Sequence, residues 1–233
     1  MRLATALRGF MAAMALCVAT TASFADDNLT TYFDGLRARG LFAVAESYAH
    51  SRLADPKLDP ARRTDLVVEL AKTLVAHAEL IGPPQADELW QQARQVLTEA
   101  QSQPEPVRAE RIAAQIGLID ASHAAVLRQE VELAPFDETL RETARTTCTA
   151  AITALEPVIE QLDEQLRQGR ARTTQLSLFE ARQLVQSWRI SLGQVFRDRA
   201  ILSPATSPER TADLTEANTV FRAALTGLND AAA

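Results

Sequence analysis

Prolines set the strongest limit on how this chain can fold. They stand at positions 56, 60, 83, 84, 104, 106, 135, 157, 204 and 208. A proline inside a helix removes a backbone hydrogen bond and clashes with the carbonyl four residues back. Between the prolines run long stretches of Ala, Leu, Arg, Glu and Gln, all strong helix formers. Apolar residues recur there every three or four positions. Leu66, Leu70, Leu74 and Ala78 form one stripe, and Ile112, Ile116, Ile119, His123 and Val126 a second. Leu184, Trp188, Leu192 and Val195 form a third. That period belongs to amphipathic helices. No stretch alternates apolar and polar residues between turn signals, so no strand is expected.

The spacing predicts an all-α chain of about four antiparallel hairpins. Their arms are residues 28–39 with 41–54, 60–81 with 85–102, 106–133 with 137–168, and 174–202 with 208–228. Gly40, Gly82-Pro83-Pro84 and the segment SPATSP at 203–208 supply three of the turns. Pro157 is placed to kink or split its arm, and Ser177 with Glu180 matches a capping box. Short links make neighbouring arms antiparallel.

Residues 1–25, MRLATALRGFMAAMALCVATTASFA, have the three-part plan of a secretory signal peptide. Arg2 and Arg8 give a positive start, residues 9–19 an apolar run, and Ser23-Phe24-Ala25 a cut after Ala25. The run is shorter than the roughly 20 residues a membrane-spanning helix needs. Cys17 follows Leu16 rather than the small residue a lipid-accepting cysteine prefers. The expectation is an exported chain, periplasmic or otherwise extracytoplasmic, with no membrane span in its mature part, residues 26–233. The whole chain carries a formal charge of −6, which argues against the clustered positive charge of a nucleic-acid binder.

Within the hairpins a repeat shows through. Gly40, Phe42, Ala45 and Pro56 lie at a turn and along a second arm. Trp90 precedes Ala93 by three, as Phe42 precedes Ala45, and Pro104 follows Ala93 by eleven, as Pro56 follows Ala45. Leu192-Gly193 with Phe196, and Ala217 with Phe221 and Ala224, give another first and second arm. These pieces resemble the tetratricopeptide repeat, with its Leu-Gly-x-x-Tyr first helix and Ala-x-x-x-Phe second helix. Phe33 stands where that pattern has a small residue. The chain thus resembles exported bacterial proteins with degenerate tetratricopeptide (TPR) repeats. The resemblance implies a TPR-like right-handed superhelix; the alternative fold is a compact helical bundle. It also implies a non-enzymatic protein-binding scaffold or adaptor of the cell envelope, with protein partners of unknown identity. The alternative is a periplasmic helical domain that binds a small ligand or peptide. The last arm is apolar on one side and has no capping helix after it. The expectation is therefore the front part of a longer array, or a last helix that docks on a partner.

Chemistry-bearing motifs are sparse. No HExxH, GxSxG, GxGxxG or phosphate-loop pattern occurs, so no catalytic residue, metal ligand or cofactor is expected. Glu46 and His50 are one helical turn apart. His123 lies on an apolar stripe and reads as a core histidine, and His50 and His77 as surface or edge residues. Cys148, Trp90 and Trp188 read as core, and the many carboxylates, Asp163 and Glu164 among them, as solvated helix faces. Basic residues are arginine apart from Lys57 and Lys72, and Arg167, Arg170 and Arg172 read as charge at a helix C-terminus. By position in the resembled repeat, Asp34 and Arg37 would face the concave surface.

Overall fold

A computed structural model describes residues 25–82, 85–103, 107–169 and 177–231, and every regular element among them is a helix. They are α1 (Ala25–Arg37), α2 (Phe42–Leu53), α3 (Pro60–Ala78), α4 (Gln85–Gln101), α5 (Ala109–Leu133), α6 (Glu138–Arg167), α7 (Leu178–Leu202) and α8 (Pro208–Ala231). These are the expected arms to within a few residues. Most of the expected signal segment, together with Arg170 and Arg172, lies outside the described residues.

Local chemistry explains the boundaries. Asp59 caps α3 by accepting hydrogen bonds from the Ala61 and Arg62 amides, with Pro60 in the first helical position. Asp137 caps α6 through the Leu140 amide. Ser177 and Glu180 form the expected capping box at α7, whose hydrogen bonds hold the Glu180 carboxyl below its usual range. Gly40 makes the α1–α2 turn at φ +68°, where a side chain would be strained. Pro157 does not split its arm. Helix α6 runs through it, and the proline sits on the exposed side.

Helices pack in sequence. Each is against its neighbour, and the odd-numbered helices also touch one another: α1 on α3, α3 on α5, α5 on α7. Side-chain pairs fix the directions. Thr64 and Asp65 near the start of α3 meet Val107 and Arg108 beside the start of α5. Arg128 near the end of α5 meets Asp198 near the end of α7. The odd helices therefore run parallel as an inner row. The even helices return antiparallel outside it, as Arg199 of α7 on Asp213 of α8 shows.

The buried apolar residues form two clusters in series. One spans α1 to α4 with Ile112 and Ile119 of α5. The other takes Ala114, Ala124, Leu127 and Val131 of α5 together with α6 to α8. Helix α5 serves both, so the arms do not surround one central interior.

The returning helices share one pattern. Ala45, Ala93, Ala151 and Ala217 are each at most 3% exposed, and four residues later stand Ala49, Leu97, Leu155 and Phe221. The small residue lets two helix backbones approach, and the residue one turn on fills the space beside it. Three residues before each alanine stand Phe42, Trp90, Cys148 and Leu214. The first three are buried, whereas Leu214 on the last helix is 44% exposed.

Glycines on the inner row receive the filling residues. A Cβ on Gly117 would lie 2.7 Å from Leu155 Cγ, and one on Gly193 2.7 Å from Phe221 Cε1. Alanine gains about 1 kcal/mol of helix propensity over glycine, while overpacking costs about 1–3 kcal/mol. Leu155 is fully buried and cannot yield, whereas Phe221 is only partly buried. Gly117→Ala should therefore lower the urea midpoint clearly and Gly193→Ala much less. Equal losses would contradict these contacts.

Candidate functional site

Acidic residues inside the stack decide which charges are left for function. Glu69 is 0% exposed. It accepts from Arg37 Nη2 at 2.7 Å and from Lys72 Nζ at 3.0 Å. Asp65 accepts from Arg108 and Arg111 at 2.7 and 2.6 Å. Asp120 pairs with Arg94, Asp198 with Arg197 and Arg128, and Asp213 with Arg199. Most of these pairs cross from one helix to another, so arginine and carboxylate pin successive arms together. Glu69 and the four buried aspartates are not the solvated face expected of carboxylates.

The pattern also corrects the expectation for Arg37. Its guanidinium turns inward, reaching Glu69 and, at 3.3 Å, Thr73 Oγ1, and is not offered to a ligand. Asp34 is exposed but is paired with Arg37. Phe33, in the place of the expected small residue, is fully buried and packs edge-on against Tyr32 and Tyr48. A signal for the buried acids was present in the sequence. Asp65 and Glu69 sit in TDLVVELAKTLV, where apolar residues occupy every side of the helix.

Titratable groups collect where an inner helix meets the preceding outer one. His77 of α3 stacks on Phe42 of α2, with ring centroids 4.8 Å apart and planes 6° from parallel. Its Nδ1 lies 3.3 Å from Glu46 Oε1. Glu46 thus partners His77, and His50, its neighbour by sequence, is exposed. One joint further on, His123 of α5 stacks on Trp90 of α4 at 4.9 Å and 15°. Arg94 follows Trp90 by one turn, as Glu46 follows Phe42. The two joints share a geometry and carry opposite charges.

His123 is therefore held below the ordinary histidine pKa, chiefly by burial, then by Arg94, with Asp87 opposing. Its neutral form favours the fold. The unfolded chain takes up the proton more readily, so this contribution is present above the unfolded pKa of about 6.5 and is lost as pH falls. His123→Phe, which keeps a ring on Trp90, should shrink the fall in urea midpoint between pH 7 and pH 5. An unchanged fall would contradict the assignment.

At the third joint Cys148 stands in the aromatic's place. Arg199 lies beside it, donating to Asp213 and to Thr149 Oγ1. Burial, with Asp198 and Asp213 adding and Arg199 opposing, pushes the thiol up to about 12. With so little thiolate, Cys148 in a Cys17→Ser background should resist maleimide until urea unfolds the chain. Rapid labelling of the folded protein would contradict its placement.

Three open depressions mark the surface. One, of about 560 Å³, runs along α4 past His123 and is lined by Asp87, Gln91, Arg94, Gln95, Thr98 and Glu99. A second, of about 870 Å³, lies between α6 and α8 over Arg199 and Ser203 of α7. Two adjoining hollows share Glu142, Thr146, Arg145 and Ser203 with it and meet each other at Glu138. The larger one forms a groove along α6, between α6 and α8, and the two hollows border it. The third, of about 510 Å³, opens at the start of the stack between Leu29, Tyr32, Tyr48, Arg52, Leu58 and Arg62. Among the described residues no set of three or more His, Cys, Asp or Glu is placed to hold a metal ion, and no helix is long and apolar enough to cross a membrane. No protein-family model, curated protein or solved structure matches the chain.

Proposed function

We propose that this chain is an exported, TPR-like protein-binding scaffold or adaptor of the bacterial cell envelope, its hairpins stacked as a right-handed superhelix. The observation that carries the reading is the groove along α6. It is open, and it is lined by Glu142, Arg145, Thr146, Thr149, Thr153 and Glu209, side chains suited to a polar polypeptide surface. It lies between two outer helices, α6 and α8, and not on the concave surface of stacked first arms that the resemblance implies.

A photo-crosslinking amino acid at Thr146 should join the exported protein to a discrete envelope protein, while the same group at Leu80, which is exposed and lines none of these depressions, should not. Absence of any adduct from Thr146 would contradict the scaffold. The exported form should also have a mass reduced by residues 1–25, and an intact cytosolic chain would contradict export. The second reading, a small-ligand or peptide carrier, draws its support from the Trp90–His123 cleft, where aromatic, cationic and anionic groups converge.

A further inference from the structure

We infer that the cleft at the start of the stack binds a short peptide segment in which an apolar side chain sits beside carboxylates. This names the partner's chemistry and rests on the scaffold reading. The depressions described above differ in charge. Glu138, Glu142, Asp87, Glu99, Glu209 or Asp213 contributes a carboxylate to each of the other four. Among the described residues this one is lined by the exposed Arg52 and by no carboxylate, in a chain whose formal charge is −6.

Besides Thr31 and the arginines, the lining is apolar or aromatic. Leu29 and Tyr32 come from α1, Tyr48 from α2, Leu58 from the link before α3 and Leu66 from α3 itself. Tyr32 and Tyr48 are 44% and 37% exposed, with rings 5.1 Å apart and backed by buried Phe33. They stand as a rigid apolar wall whose edge reaches solvent. Tyrosine gives contact area at little cost in side-chain freedom, and arginine gives a planar fork that fits a carboxylate. A cavity of about 510 Å³ holds two or three side chains, not a folded domain. An apolar residue against the tyrosines with an acidic neighbour on Arg52 satisfies both halves of the lining.

The test uses the purified protein and three end-blocked peptides: Asp-Leu-Phe-Glu, its amide counterpart Asn-Leu-Phe-Gln, and Asp-Gly-Gly-Glu. Calorimetry should show Asp-Leu-Phe-Glu binding roughly tenfold more tightly than either of the others, the usual scale of one charge-assisted contact or one buried side chain. Arg52 is exposed, so Arg52→Glu should leave the thermal midpoint unchanged while abolishing that preference. Equal binding of the amide peptide, no binding of Asp-Leu-Phe-Glu, or an unaltered preference in Arg52→Glu would each overturn the inference. The scaffold reading fails separately. If the Thr146 crosslinker joins a partner that Arg52→Glu does not weaken, the cleft is refuted and the scaffold stands. If it joins none, the scaffold itself is refuted.

Discussion

Arg37→Ala is expected to destabilise the fold by about 3 kcal/mol, because it leaves a buried carboxylate short of its main partner. Glu69 is fully buried and lies between α1 and α3. Lys72 remains near it at 3.0 Å, but on the same helix and partly exposed. Removing one member of a buried pair typically costs more than the pair contributed, since the other stays in a poor environment for charge. The double change Arg37→Met with Glu69→Leu should therefore recover most of the loss. If the double variant proves as unstable as Arg37→Ala, the cost does not come from an unpaired Glu69. Urea midpoints of the three proteins decide this.

Ala45→Trp is expected to cost at least about 3 kcal/mol, the upper part of the range for forcing bulk into a packed site. Ala45 is 0% exposed, and Ala49 beside it is too. The position is the first of four equivalent alanines, where the outer helix comes closest to its neighbours. A smaller change on the exposed side of the same helix, Val44→Trp, should be nearly silent, because Val44 is 49% exposed. Thermal midpoints that fail to separate Ala45→Trp from Val44→Trp would contradict the packing assigned to the outer row.

Much of this architecture was legible in the sequence. Helix boundaries followed from proline, glycine and capping residues, whose effects act within one or two turns. The pairings of Phe42 with Ala45, of Trp90 with Ala93 and of Ala217 with Phe221 pointed to equivalent outer helices, and all six positions lie where the shared pattern puts them. The extension of that pattern to Cys148, Ala151 and Leu155 was harder to see, because a small thiol replaces the ring and α6 is the longest arm.

The candidate sites were less legible, for a physical reason. Which arginine reaches a buried acid is decided between helices, and such pairs span 32 positions for Arg37 with Glu69 and 43 for Arg108 with Asp65. Nothing local in the sequence encodes those distances. Glu46 illustrates the point. One turn away on its own helix is His50, yet its partner is His77 on α3. The basic character of the first cleft is hidden in the same way, because Tyr32, Tyr48, Arg52 and Arg62 come from three helices.

Native-state hydrogen exchange on the Ala45→Trp variant tests most directly whether the hairpins form a succession of units. In a stack whose members contact only near neighbours, damage stays local. Amides of α1, α2 and the first half of α3 should lose protection, while those of α7 and α8 keep the values of the unmodified protein. Equal loss of protection in all eight helices would show one shared interior and contradict the stacked account.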